Sequence, residues 1–263
     1  MGRHFDTFSK TELHALFSEP AWETLSFQDR LDACQEVENR YAAENGVPPC
    51  TVKAKHMQGA TYGYQYKNTI ALNRSLLQDG TFLTEFTDLN GRTQRVKTKA
   101  LAPGWNMLDT VYHEGTHGIQ TALGRMPRTY ITPRTDEDLY RIQKVEKEAF
   151  AVGQWKTLNA ISDTEPYTGC QDPSRSEYLA YVKEDSFQKA LDASVLHYND
   201  PDIEQTLRDV IHDRDYGITR FQASDSYQAV NDLCDRQYFR SYEPAQAAKT
   251  QTMAEENDYY YGM

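Results

Sequence analysis

Apolar residues recur at three- and four-residue steps through residues 9–45, first Leu13, Leu16 and Phe17, then Leu25, Leu31, Cys34, Val37 and Tyr41. That spacing predicts helices with one buried face. Pro20 divides the stretch into two helices, and Gly46 with Pro48 and Pro49 ends the second. The period then changes. Residues 51–57 and 69–73 are β-forming runs around the turn-rich segment 59–64, which predicts a small antiparallel sheet. Residues 81–100 place β-type residues on both sides of Asn90-Gly91, with polar side chains alternating through 93–97, the pattern of a solvent-facing hairpin with a two-residue turn.

After Pro103-Gly104, residues 106–123 read as a helix, with Asn106 as its cap, Asp109 three positions on and Gly124 just past its end. Pro127, Pro133 and several threonines make residues 125–136 a loop, and Thr135 or Asp136 can cap a long helix reaching about residue 161. Further helices are expected at 174–196 and 201–214, with a weaker one at 222–239, punctuated by Gly169, Pro173, Pro201 and Gly217. No internal repeat is visible. These elements predict an α+β fold, mostly helical, in one domain over residues 1–244: N-terminal helices to 48, a sheet and central core over 49–162, and a helical part from 163. Residues 245–263, which contain Asp258-Tyr259-Tyr260-Tyr261, read as a polar tail.

Composition narrows the functional classes. Hydrophobic residues make up 39% of the chain and aromatic ones 12%, enough for a substantial core. The net charge of −11 repels phosphate backbones and anionic lipid, so neither nucleic acid nor a membrane surface is an expected partner. No apolar run reaches the length of about 18 residues that a spanning helix needs, and the N-terminal residues lack the apolar core of a secretory signal. A cytoplasmic location is therefore expected, with leaderless export or a trimmed secreted form as alternatives. Cys34, Cys50, Cys170 and Cys234 form no CxxC pair, which argues for reduced structural thiols rather than a zinc ribbon or redox motif.

The chemistry concentrates in His113-Glu114-Gly115-Thr116-His117. Two histidines four apart on a helix lie about 40° apart around its axis, so both imidazoles can reach one tetrahedral zinc ion. Glu114 lies about 100° round from His113, badly placed to share the metal but able to reach a water on it. Leu108, Tyr112, Ile119 and Leu123 occupy another sector and predict a core-facing flank. Ordinary surface histidines are the plain alternative, which the spacing and the capped helix outweigh. Gln120 and Leu123 stand where a three-histidine metzincin would have glycine and histidine, so that subclass is excluded.

A third ligand is then needed from a following helix, and Glu146 and Glu148 are the candidates. Leu139, Ile142, Val145, Ala149 and Gly153 define an inward stripe that includes Glu146, where an uncompensated carboxylate would be costly. Glu148 projects toward Arg141 and Lys144, where a solvated ion pair explains it without metal. Glu146 is favoured, with Glu148 as the alternative.

The HExxH helix and a later glutamate resemble the zincin metallopeptidases, in particular the gluzincin branch. Residues 50–160 are also similar to the ImmA/IrrE peptidases, through Ile70-Ala71-Leu72-Asn73 before the motif and Glu146-Lys147-Glu148-Ala149 after it. The chain departs from that family at Phe150, where the family commonly has asparagine. The resemblance implies a Zn2+ ion held by His113, His117 and Glu146, with Glu114 as general base, and hydrolysis of peptide bonds in a protein or peptide substrate. It also implies that strand 69–72 pairs with extended substrate, and that a Tyr, His or Arg from the C-terminal half stabilises the oxyanion, with His197, His212 and Tyr216 as candidates. Two other functions remain: zinc-dependent hydrolysis of a non-peptide amide, and a metal-stabilised binding or regulatory module without catalysis.

Overall fold

The computed structural model describes residues 5–87, 91–127, 130, 132, 140–141, 143–168, 172 and 174–184. Within them the chain mixes helices and small sheets, as expected for α+β. Contacts divide it into two compact units, residues 1–125 with 152–183 and residues 126–151 with 184–263. The expected cap residues Thr135 and Asp136, the oxyanion candidates His197, His212 and Tyr216, Cys170, Cys234, the helices at 201–214 and 222–239 and the tail all lie outside the described residues.

The first unit opens with three helices rather than the two expected: α1 (Lys10–Ala15), α2 (Glu19–Thr24) and α3 (Phe27–Glu44). Pro20 does not break a helix; it sits in the first turn of α2, where its missing N–H costs nothing. Serines mark the starts. Ser9 and Glu12 form a reciprocal capping box on α1, and the Ser26 hydroxyl accepts the Asp29 N–H on α3. Arg30 then ties α3 to its neighbours by donating to the Trp22 and Leu77 carbonyls.

Three strands follow, β1 (Thr51–Lys55), β2 (Gly63–Tyr66) and β3 (Thr69–Asn73), in the order β1-β3-β2. The sheet is mixed, not antiparallel as expected. β1 pairs with β3 in parallel, Thr51 opposite Thr69, while β2 pairs antiparallel. The segment read as a turn supplies β2. Gly63 is required there because a Cβ would lie 2.8 Å from Thr110 Cγ2 and 2.9 Å from the Ala71 carbonyl.

After helix α4 (Arg74–Asp79) comes a hairpin of β4 (Thr81–Thr87) and β5 (Thr93–Lys99), and every residue of β5 is exposed. Its register pairs Thr87 with Thr93, one step off the pairing that a two-residue Asn90-Gly91 turn would set. Helix α5 (Pro103–Ala122) carries the HExxH segment, α6 spans Lys144–Thr168 and α7 spans Ser174–Glu184. The core of the first unit gathers Phe17, Trp22, Leu72, Leu76, Trp105, Met107, Leu108 and Tyr178 around α5. Among the described residues, no helix is long and apolar enough to cross a membrane.

Within the second unit, the described residues include the first turns of α6 and a row of aromatic rings. Tyr130 meets Tyr140 edge to face at 6.3 Å, and Tyr140 meets Phe150 at 6.4 Å.

Candidate metal centre

Helix α5 begins earlier than its sequence suggests. Asn106 is buried inside it rather than capping it, and its Nδ2 donates to the Leu101 carbonyl. The entry is instead made by Ala102, held at φ 39° and ψ 56° ahead of Pro103. A left-handed alanine costs about 1–2 kcal/mol, and it is held by complete burial and by its N–H donating to Glu177 Oε2. Asp109 also has a different role from the expected cap, since it accepts the Tyr178 hydroxyl at 2.9 Å.

Every residue of α5 from Gly104 to His117 is buried. Leu108, Tyr112 and Ile119 form the expected apolar flank, but Leu123 is half exposed beyond the helix end, a correction to the wheel. Gly115 brings α3 close: a Cβ there would lie 2.6 Å from Glu38 Oε2 and 3.0 Å from the Tyr41 ring. The helix is fixed further by the Tyr41 hydroxyl on Thr116 Oγ1 at 3.0 Å and by the Tyr112 hydroxyl on His14 Nε2 at 2.8 Å. Burial first, then the charges of Lys10 and Lys156, push His14 down to about 3, so it takes this hydrogen bond as the neutral imidazole.

The two histidines of the motif behave as the spacing predicts. His113 Nε2 and His117 Nε2 approach to 3.2 Å, and both rings are buried. Two nitrogens on one tetrahedral zinc at 2.0–2.1 Å stand about 3.3 Å apart, so the pair already has a ligand-like separation. His117 Nδ1 donates to Gln120 Oε1 at 2.8 Å, which places the proton on Nδ1 and leaves the Nε2 lone pair for a metal. Gln120 is fully buried. Its role was missed in the sequence, although its place three residues after His117 is a usable signal.

Glu146 lies in the first turn of α6, fully buried, between the buried Val145 and Lys147. The Tyr130 hydroxyl donates to its Oε1. Glu148, the alternative, is only half-buried on the same helix. His113 and His117 offer imidazole nitrogens within the first unit, and Glu146 offers a buried carboxylate within the second. The donor set of two imidazole nitrogens and one carboxylate fits zinc with a position left for water or substrate.

Two further groups near α5 are shifted by burial. Burial, then the neighbouring Glu38 and to a smaller extent Glu114, pushes the Cys50 thiol up to about 12, which favours its neutral form at neutral pH. Glu38 accepts the Cys50 N–H at 2.8 Å, and burial pushes its carboxyl up to about 7. Cys34 and Cys50 are both free and buried.

Strand 69–72 does not have the role expected of it. β3 is the central strand, with β1 on one side and β2 on the other, so its backbone has no edge to offer. The outer side of β1 is covered by α3: Gln35 Oε1 accepts the Val52 N–H at 2.7 Å, and Glu38 takes that of Cys50. β2 is the remaining edge. It crosses α5 at Thr110, one turn before His113, and carries the exposed Tyr64 and Tyr66. No protein-family model, curated protein or solved structure matches the chain, so the description of this centre rests on its own residues.

Proposed function

We propose that this chain is a zinc-dependent metallopeptidase of zincin-like architecture, with His113, His117 and Glu146 holding the ion. The observation that carries this reading is the approach of the two buried imidazole nitrogens to 3.2 Å on one face of α5. Two imidazole nitrogens at that distance can share a proton or a metal ion, and the separation matches that of two ligands on one tetrahedral zinc. Bound there, zinc acidifies a water and polarises a carbonyl. Gln120 keeps the His117 ring turned with Nε2 available. Glu114, next to the first ligand and buried, takes a proton from the attacking water and returns it to the leaving amine.

The extended substrate pairs with β2 rather than β3, because among the described residues β2 pairs with a strand on one side only and it crosses α5 at Thr110, one turn before His113. The acid composition of the chain disfavours nucleic acid as a substrate.

Metal content of the purified chain, combined with digestion of a complex protein mixture, tests the reading. Wild type is expected to hold about one zinc per chain. Glu114→Gln should retain the metal and lose cleavage by about 10²–10⁴-fold, the usual contribution of a general base. A wild-type chain without zinc, or unchanged cleavage in Glu114→Gln, overturns it. Zinc bound with no cleavage by wild type points to a binding module instead.

A further inference from the structure

We propose that Tyr130 is the positioning residue for the glutamate ligand: its phenol holds one carboxylate oxygen of Glu146 and so sets how that carboxylate is presented to the ion. The proposal rests on reading His113, His117 and Glu146 as a zinc site. A glutamate side chain has three rotatable bonds, and a buried carboxylate that is not hydrogen-bonded is costly. The Tyr130 hydroxyl donating to Glu146 Oε1 addresses both difficulties, because a hydrogen bond to an ionised acceptor is strong and directional.

The phenol is itself held in place. Its ring meets Tyr140 edge to face at 6.3 Å and 87°, and Tyr140 meets Phe150 at 6.4 Å and 79°. Arg141 closes the row, its guanidinium 5.1 Å from the Phe150 ring centre. Phe150 stands one helical turn after Glu146, so α6 carries both the ligand and the last ring of the row that supports its partner. This gives the apolar residue at position 150 a physical role. Phe150 acts through two rings and delivers the hydroxyl of Tyr130.

The test is zinc affinity of the full chain, measured by competition with a coloured chelator for wild type, Tyr130→Phe, Glu146→Ala and the double variant. Tyr130→Phe keeps the ring and its stacking and removes only the donor, and far-UV circular dichroism checks that it folds. We expect it to bind zinc about 10–100-fold more weakly than wild type. In the Glu146→Ala background the same change should have little further effect. The visible bands of the cobalt-loaded chain should also shift in Tyr130→Phe, which a purely structural residue would not cause. Affinity within about twofold of wild type, or an equal loss with Glu146 absent, overturns the role of Tyr130. A wild-type chain that takes up no zinc overturns the metal site itself, so the two failures can be told apart.

Discussion

Helix α5 and the β4–β5 hairpin are neighbours in sequence and opposites in structure. From Gly104 to His117 the helix has no exposed residue, and its polar side chains are taken up one by one: Asn106 by Leu101, Asp109 by Tyr178, Thr116 by Tyr41, His117 by Gln120. In the hairpin every residue of β5 faces solvent, and its charges meet exposed partners, Arg95 on Glu85 and Lys97 on Asp79. Close packing fixes side chains to within tenths of an ångström, which a metal centre requires. An exposed ribbon needs only its pleat, so most of its side chains are interchangeable.

The sharpest way to break the contrast is Gly104→Ala. Its new Cβ would lie 2.2 Å from the Phe17 carbonyl oxygen and 3.0 Å from the carbonyl carbon, backbone atoms that cannot swing aside. We expect a loss of about 3 kcal/mol, or roughly 6–12 °C in Tm, read by calorimetry.

Glu38→Gln is expected to act next most strongly, and with a definite pH dependence. The folded carboxyl is pushed up to about 7 from an ordinary 4.5. Between those values the folded chain holds a proton that the unfolded chain has released, so stability falls as pH rises through that window. The glutamine variant should therefore gain up to about 3 kcal/mol over wild type at pH 8 and almost nothing at pH 4. Urea midpoints at the two pH values check it, and an equal gain at both would show that Glu38 is not the titrating group.

Gln120→Ala leaves the His117 ring free to turn. Zinc binding should weaken about 10–100-fold, with some loss of Tm in the metal-free chain as well because the side chain is fully buried. The smallest effect belongs to the hairpin, where Arg95→Ala should move stability by no more than about 0.5 kcal/mol. A larger loss there would mean that the ribbon is covered by something in solution.

The same contrast explains what the sequence could reveal. The HExxH spacing is a property of one helix, and the hairpin's alternation is a property of one ribbon, so both were legible locally. The start of α5 was not, because Asn106 resembles a cap while Ala102, held left-handed by Glu177 and by burial, does the turning. β2 was read as a turn because Gly63 looks like a bend, although its lack of a side chain serves the crossing over Thr110. That misreading also made β3 an edge. Glu146 was found through its place on an apolar stripe, whereas Tyr130 stands 16 residues away in a proline-marked loop and belongs to no periodic pattern.

β2 has a bearing on how the chain behaves in concentrated solution. An open strand invites copies of itself to join edge to edge, and exposed tyrosines would add stickiness to that encounter. Here the edge is four residues long, and its tyrosines are attended by cations: Lys55 Nζ lies 5.3 Å from the Tyr64 ring centre and Lys67 Nζ 5.3 Å from that of Tyr66. A second copy would have to bring like charges together for only a few hydrogen bonds, which opposes growth of a shared sheet. The short edge and its two lysines therefore disfavour self-assembly through β2.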